Sequence, residues 1–440
     1  MSVLARLWAL RRERPLLVVL SLLALAVLLV YPFVDWYLRL AGVVEDVQYY
    51  DFGAYTTAVD NWYTGEPIYT RNEDGGFFGS YLYPPVALFL FAPFAELPFY
   101  TGGLVFELLS LGALWVALQV LVGRVYGLDF HCFERGLLLW ALFGFHPLLF
   151  NFKHGQVATL LAAILTAALI ALELGEPRAK SDDAADDESA DGSTARRSSR
   201  LASGALMSIA TAVKLTYATA GAHLLGSRDR LLGGLAAGVG LAGLSLAVFG
   251  VDTHLLYLDV LRYGIEGGAS PRGPMLASIA YYRPLFAARA FSDLLRAVGV
   301  LAVVGLALAA ARDGADRATF ALGVAAVPLL APRSYTYTFV SLLPAVVALL
   351  AVELDRGDRG DRPWVPVLAL LLLDGHAWGL KVLTEGVPTW GAFGATIRPA
   401  LPLLQLGLWG NLLLVGLAAV RVAEAASLPA RSARRSPQPR

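Results

Sequence analysis

The sequence predicts an all-α polytopic membrane protein with about twelve membrane segments and a long, polar, extracytoplasmic first connection. Three observations carry that expectation. Only 16% of the 440 residues are charged and 57% are hydrophobic, whereas soluble domains carry roughly 25% charged residues. The deficit is spread along the chain as repeated apolar runs of about 20 residues, enough to cross about 30 Å of hydrocarbon. Basic residues recur in alternate connections between those runs, the distribution that sets membrane topology.

Composition also excludes classes. The net charge is zero, so nothing argues for nucleic acid. One cysteine, Cys132, cannot form an internal disulfide or a cysteine-rich metal site. The histidines show no ligand spacing, so no metal is expected. No ATP or nicotinamide motif appears, and no cofactor is expected. The cations are arginines apart from Lys153, Lys180, Lys214 and Lys381.

The elements follow in order. Residues 1–14 carry Arg6, Arg11, Arg12 and Arg14 ahead of the first span, 16–34. That bias places the N-terminus in the cytoplasm. No small-residue cleavage site follows the run, so it reads as a retained helix. Residues 35–83 then lie outside. Residues 84–97 are apolar but short, with Pro84, Pro85 and Pro93, and read as juxtamembrane or re-entrant because proline removes backbone donors. Residues 101–122 are a clear span, 123–135 a basic inner connection, 136–150 an outward span and 152–156 an outer turn. Residues 157–174 return inward. Residues 175–200 form a low-complexity charged stretch expected to be a disordered cytoplasmic linker. Residues 201–226 carry Lys214 at their middle and read as two half-helices meeting there. The later spans are 231–249, 294–311, 320–330, 335–352, 364–380 and 399–420. Their basic connections, 312–317 and 356–362, and the tail 425–440 fall inside. The whole is expected as one membrane domain, with five polar clusters gathered on its outer face.

Two sets of residues there could carry chemistry. Glu45, Asp46 and Asp51 are carboxylates in the first outer segment. A carboxylate held near an apolar surface suits proton abstraction from a hydroxyl. Asp51, flanked by Tyr50, Phe52 and Tyr55, has the most enclosed setting; solvated loop carboxylates are the plain alternative. Lys153, Lys214, Arg333 and Arg398 are outer cations that could neutralise a phosphate leaving group. Snorkelling to headgroups accounts for Arg398. It accounts poorly for Lys214, which is remote from either end of its apolar segment, and an ionisable residue there is a functional hypothesis by default.

The runs Asp51-Phe-Gly-Ala-Tyr55, Gly65-Glu-Pro-Ile-Tyr69 and Tyr83-Pro-Pro85, then His154-Gly-Gln156, Ala212-Val-Lys214-Leu-Thr216 and Pro332-Arg-Ser-Tyr335-Thr-Tyr337, resemble in order the blocks of glycosyltransferase family 87. That family is similar to polyprenol-phosphate-mannose-dependent mannosyltransferases. The resemblance implies a GT-C-type fold in the cell membrane and an extracytoplasmic site. It implies a hexose, mannose by analogy, moved with inversion from a polyprenyl or dolichyl phosphate to a lipid-linked or surface glycan. It makes Asp51 the general base and puts Lys214 by the donor phosphate, with Lys153, Gln156, Arg333, Tyr337, Tyr55 and Asp46 as expected substrate contacts. The family often has a histidine where this chain has Tyr337, so a proton-sharing dyad with Asp51 is not expected near neutral pH. The rival class is a transporter or flippase of a lipid-linked sugar. It explains an intramembrane lysine but not the acidic, aromatic first connection, and the paired inverted repeats frequent in transporters are not found.

Overall fold

The computed structural model describes the chain except residues 1, 43, 45, 74, 78, 177–189, 266–280, 283–291, 312–314, 332–333, 358–359, 377–390, 398–399, 401–402 and 428–440. The described chain is almost wholly helical. The α-helices are α1 Val3–Ala9, α2 Pro15–Leu40, α3 Tyr50–Thr64, α4 Leu88–Ala95, α5 Phe99–Val120, α6 Cys132–Gly144, α7 His146–His154, α8 Ala158–Gly175, α9 Ala190–Val213 and α10 Arg228–Ile265. After them come α11 Ser292–Ala310, α12 Asp316–Leu330, α13 Leu343–Asp355, α14 Trp364–Asp374, α15 Gly391–Ile397 and α16 Leu406–Ser427. Short 3-10 helices occupy Pro85–Ala87, Leu215–Gly226 and Thr336–Leu342. Two antiparallel two-residue strands pair Tyr281 with Tyr335 and Tyr282 with Ser334.

By length and hydropathy, 7 helices among the described residues can cross a membrane, or up to 8 if α6 and α7, bent by 69°, form one broken span. The expected figure of about twelve included half-helices and shorter apolar runs. Pro85–Ala95 and Trp364–Asp374 are two of those shorter runs. At 1.5 Å per residue neither reaches across about 30 Å. The chain is a multi-pass membrane protein. Helices α2, α10 and α11 carry exposed Val19, Leu22, Leu235, Val239 and Leu301, as lipid-facing helices do. Helix α12 is the opposite case, with every residue from Ala318 to Leu330 buried. It packs against α13, α16 and the Leu215–Gly226 helix, so an apolar helix without a polar face becomes the centre of the bundle.

Ion pairs gather one end of the bundle. Arg317 bonds Glu173 and Asp355. Arg230 pairs with Asp316 at 2.7 Å and Glu176 at 3.2 Å. Arg421 pairs with Glu353, Arg356 with Glu424, and Arg14 with Asp361. These link the start of α2, α10 and α12 to the end of α8, α13 and α16. The described residues of the connections before α2, before α12 and after α13 therefore share one face.

Two expectations need correction. Residues 35–83 are not one loop: α2 runs through Asp35 to Leu40, and Tyr50–Thr64 is helical. Asp35 is buried because its carboxylate has partners there (below). Of the expected linker 175–200, residues 177–189 lie outside the described residues; Glu176 is described and α9 starts at Ala190. The stretch was too charged to bury apolar surface by itself, but Arg200 donates to the Gly175 carbonyl and Arg197 pairs with Asp229. The half-helices expected around Lys214 are found. Helix α9 stops at Val213, and Lys214 takes an extended conformation (φ −147°, ψ 108°) before the 3-10 helix.

Candidate active site

The site is built on α3. Its N-cap, Tyr49, adopts a left-handed φ of 50° without a side-chain cap, a strained state for a non-glycine residue that surrounding structure must hold. The holding contacts are explicit. The Lys153 carbonyl accepts both the Gln48 and Tyr49 N–H groups, at 3.1 and 2.9 Å. The Tyr49 ring lies where a Cβ on Gly103 would sit, at 2.8 Å. Helix α3 is thereby fixed to the end of α7 and the side of α5. Asp51 follows in its first turn, where the helix dipole favours a carboxylate.

The turn after α7 supplies the next group. Gly155 takes φ +70°, and a Cβ there would lie 2.6 Å from Phe52 Cβ, so glycine lets this turn press against α3. Asn151 locks it. Its Nδ2 donates to the Gln156 carbonyl at 2.8 Å and to Glu107, and its Oδ1 accepts the Ala158 N–H at 3.0 Å. Gln156 is thus presented with its amide fixed at both ends. Its Oε1 accepts from Tyr83 Oη at 2.9 Å, and its side chain hydrogen-bonds Asp51, which leaves the NH2 to donate to the carboxylate. Tyr55 Oη donates to Tyr83 Oη at 3.2 Å. Tyr83 is pinned in turn by Tyr69, whose hydroxyl donates to the Tyr83 carbonyl at 2.7 Å.

Lys214 enters from the other side. Its Nζ lies 5.7 Å from the centroid of Tyr83 and 5.8 Å from that of Tyr337, within cation–π range. Tyr337 is stacked on Tyr335 at 5.1 Å and on Phe150 at 6.1 Å. Asp51, Tyr55, Gln156, Lys214 and Tyr337 line one cleft of about 250 Å³, together with Ser80, Tyr83, Tyr257 and Tyr335. Leu82, Leu215, Val260 and Leu261 form its apolar wall. Burial pushes the Asp51 carboxyl above its ordinary range; the Gln156 hydrogen bond and the neighbouring His154 and Lys214 pull part of that back. The result is a carboxylate more basic than usual, near a half-buried cation and an apolar wall. Such a cleft can take a proton from a hydroxyl and stabilise a developing anion.

Other expected contacts lie elsewhere. Lys153 is not in the cleft: its Nζ is 2.7 Å from Asp35 Oδ1, both side chains buried, with Arg39 3.2 Å from the other oxygen. Asp46 is exposed and does not line the cleft. Arg333 and Glu45 fall outside the described residues. Tyr83 and Tyr335 stood in the sequence only as members of the family-like runs, with no contact assigned to them, and Tyr257 was not named. Tyr257, Val260, Leu261 and Gly264 recur at i, i+3, i+4 and i+7, the stripe of one helix face; that spacing is the signal for the α10 wall.

Comparison with known proteins adds three findings. The chain is 29% identical over 321 residues to the polyprenol-phosphate-mannose-dependent alpha-(1-2)-phosphatidylinositol pentamannoside mannosyltransferase of Mycobacterium tuberculosis (strain CDC 1551 / Oshkosh), covering 70% of this chain and 64% of that one. It is 28% identical over 294 residues to the protein of the same name from Mycolicibacterium smegmatis, covering 63% of each. It therefore spans somewhat less than two thirds of the length of the curated relatives it matches. Among solved structures, ArnT from Cupriavidus metallidurans bound to undecaprenyl phosphate aligns with a TM-score of 0.37 at 16% identity, covering 94% of this chain and 78% of that one. The sequence profile of glycosyltransferase family 87 matches residues 81–332. That match holds Tyr83, Gln156, Lys214 and Tyr257; Asp51 and Tyr55 precede it. Since it takes in more than half of the chain, the protein belongs to glycosyltransferase family 87.

Proposed function

We propose that this chain is a membrane glycosyltransferase that moves a hexose, mannose, from a polyprenyl-phosphate donor to a hydroxyl of a lipid-linked or surface glycan. The observation that carries the reading is the cleft that joins Asp51, Gln156 and Lys214 to an apolar wall. The donor class is supported by the names of the two mycobacterial relatives. The cleft lies away from the ion-paired, arginine-rich end of the bundle, so the positive-inside rule puts that end in the cytoplasm with the N-terminus and the cleft on the extracytoplasmic side.

The chemistry follows from the groups. The acceptor oxygen attacks the anomeric carbon as Asp51 takes its proton, and the bond to the phosphate oxygen breaks on the opposite face of the sugar, inverting the centre. The bonding pair leaves with the polyprenyl phosphate, whose added charge faces the Lys214 ammonium. Tyr337 shapes the cation's pocket and takes no proton. The apolar wall of Leu82, Leu215, Val260 and Leu261 accommodates the first isoprene units.

The test is transfer of labelled mannose from polyprenyl-phosphate mannose to a membrane glycolipid extract by the protein in lipid nanodiscs. Wild type should form labelled glycolipid. Asp51→Asn should fold and lose at least about 10²-fold in rate, the scale of a general base. Full turnover in Asp51→Asn would remove the base. Donor lipid translocation in vesicles without product would replace transfer by transport.

A further inference from the structure

A second cavity lies beside the first, along the neighbouring face of α3. It measures about 220 Å³ and shares Ala54 and Ser80 with the Asp51 cleft. Helix α3 builds both walls from adjacent stripes. Asp51 and Tyr55 face the cleft, while Tyr50, Gly53, Thr57 and Asn61, at spacings of three and four, face the second cavity, as one side of a helix must.

The chemistry of the second cavity differs from that of the cleft. Among the described residues no charged side chain lines it, so it offers no cation to a phosphate. Its polar groups are short hydroxyls and an amide. The Thr57 hydroxyl bonds no described residue. Asn61 spends Nδ2 on the Pro67 carbonyl at 3.2 Å, and its Oδ1 takes no donor from a described residue. Thr70 and Ser80 hydroxyls lie 3.1 Å apart, with Ser80 donating to the Thr70 carbonyl at 2.7 Å. Tyr50, 63% exposed, and buried Tyr81 supply ring faces. Uncharged donors and acceptors beside aromatic faces match a polyhydroxylated ring, whose edge is polar and whose C–H faces are apolar.

Resting on the glycosyl-transfer reading above, we infer that this cavity holds an uncharged sugar ring of the acceptor, one residue removed from the hydroxyl that faces Asp51. The shared wall at Ala54 and Ser80 makes the two sites neighbours, so a disaccharide end can occupy both. The site makes the protein selective for acceptors that already carry a sugar, and measures the residue before the new linkage.

The experiment reads binding, which needs no turnover. The full chain in nanodiscs is titrated with methyl α-mannoside and methyl α-mannobioside by ligand-observed NMR. The disaccharide should bind at least tenfold tighter than the monosaccharide to wild type and to Asp51→Asn. Thr57→Trp, which fills the cavity from its open side, should abolish that advantage. Thr57→Val, which removes one hydroxyl at constant shape, should reduce it about 2- to 10-fold and decides the matter should the tryptophan variant unfold. Equal wild-type affinity for the two sugars, or an advantage that survives Thr57→Trp, overturns the subsite. Displacement of the disaccharide by myo-inositol more strongly than by methyl α-mannoside overturns its assignment to a glycan ring. A binding advantage without transfer in the nanodisc assay would leave the subsite standing and defeat the transfer reading instead.

Discussion

Gln156→Leu separates a group that tunes Asp51 from one that only touches substrate. Wild-type Gln156 accepts from Tyr83 and bonds the Asp51 carboxyl group. Leucine keeps most of the volume and removes both bonds. A hydrogen bond to a charged group is worth about 1.5–3 kcal/mol, a factor of roughly 10 to 150. The loss falls on the carboxylate and not on the neutral acid. Burial already raises the Asp51 pKa and Gln156 counteracts it, so removing Gln156 raises it further. A base with a raised pKa is protonated, and idle, up to a higher pH. The acid limb of kcat/KM against pH should therefore move upward. On that limb the rate should fall by about 10- to 150-fold, with a smaller loss on the alkaline plateau. The assay is mannose transfer in nanodiscs across the pH range, with thermal inactivation as a control. A uniform loss at every pH with an unmoved limb would refute the tuning role, and a limb shifted to lower pH would reverse its sign.

The remaining predictions are steric and electrostatic. Gly155→Ala forces a side chain into φ +70°, costing roughly 1–2 kcal/mol, and into Phe52, adding about 1–3 kcal/mol; the displaced α3 should cost about 10²-fold in transfer, and wild-type activity would contradict the close packing. Lys214→Ala should lower kcat about 10²- to 10³-fold, as loss of a fixed group at developing charge does. Lys214→Arg should recover only part, because a planar fork does not replace a point charge between two rings; full recovery would argue against the cation–π seat. Asp35→Asn leaves buried Lys153 uncompensated and should destabilise by about 3–5 kcal/mol, seen as inactivation at lower temperature, while Asp35→Leu with Lys153→Met should regain much of it.

The sequence was most informative where chemistry and hydropathy conflict. Lys214 stood out because a cation inside an apolar run has few structural excuses, and the break in the helix falls at that residue. Asp51 stood out by its aromatic neighbours, and in the structure it lines the cleft. Lys153 misled because residue type alone does not reveal a partner 118 positions away. Asp35 gave no warning: an acidic residue after an apolar run reads as the end of a span, although it lies inside α2. The α9 start was hidden for a related reason, since the contacts of Arg197 and Arg200 are with Asp229 and Gly175. The second cavity was invisible to pattern reading, because serine, threonine and asparagine on a short helix look like ordinary solvated surface.

Lys153 joins the first span to the helix that carries Asp51 through two separate parts of itself. Its ammonium grips Asp35 in α2 and its carbonyl grips the N–H groups of Gln48 and Tyr49. The chain between Leu40 and Gln48 is therefore clamped at both ends by one residue from a distant helix. The position of Asp51 is then set by the body of the bundle and not by the length of that connection. Residues could be gained or lost there without shifting Asp51, so the spacing from the first span to Asp51 is a poor guide when sequences of this kind are put in register. The register is carried instead by the Phe152-Lys153-His154-Gly155-Gln156 turn.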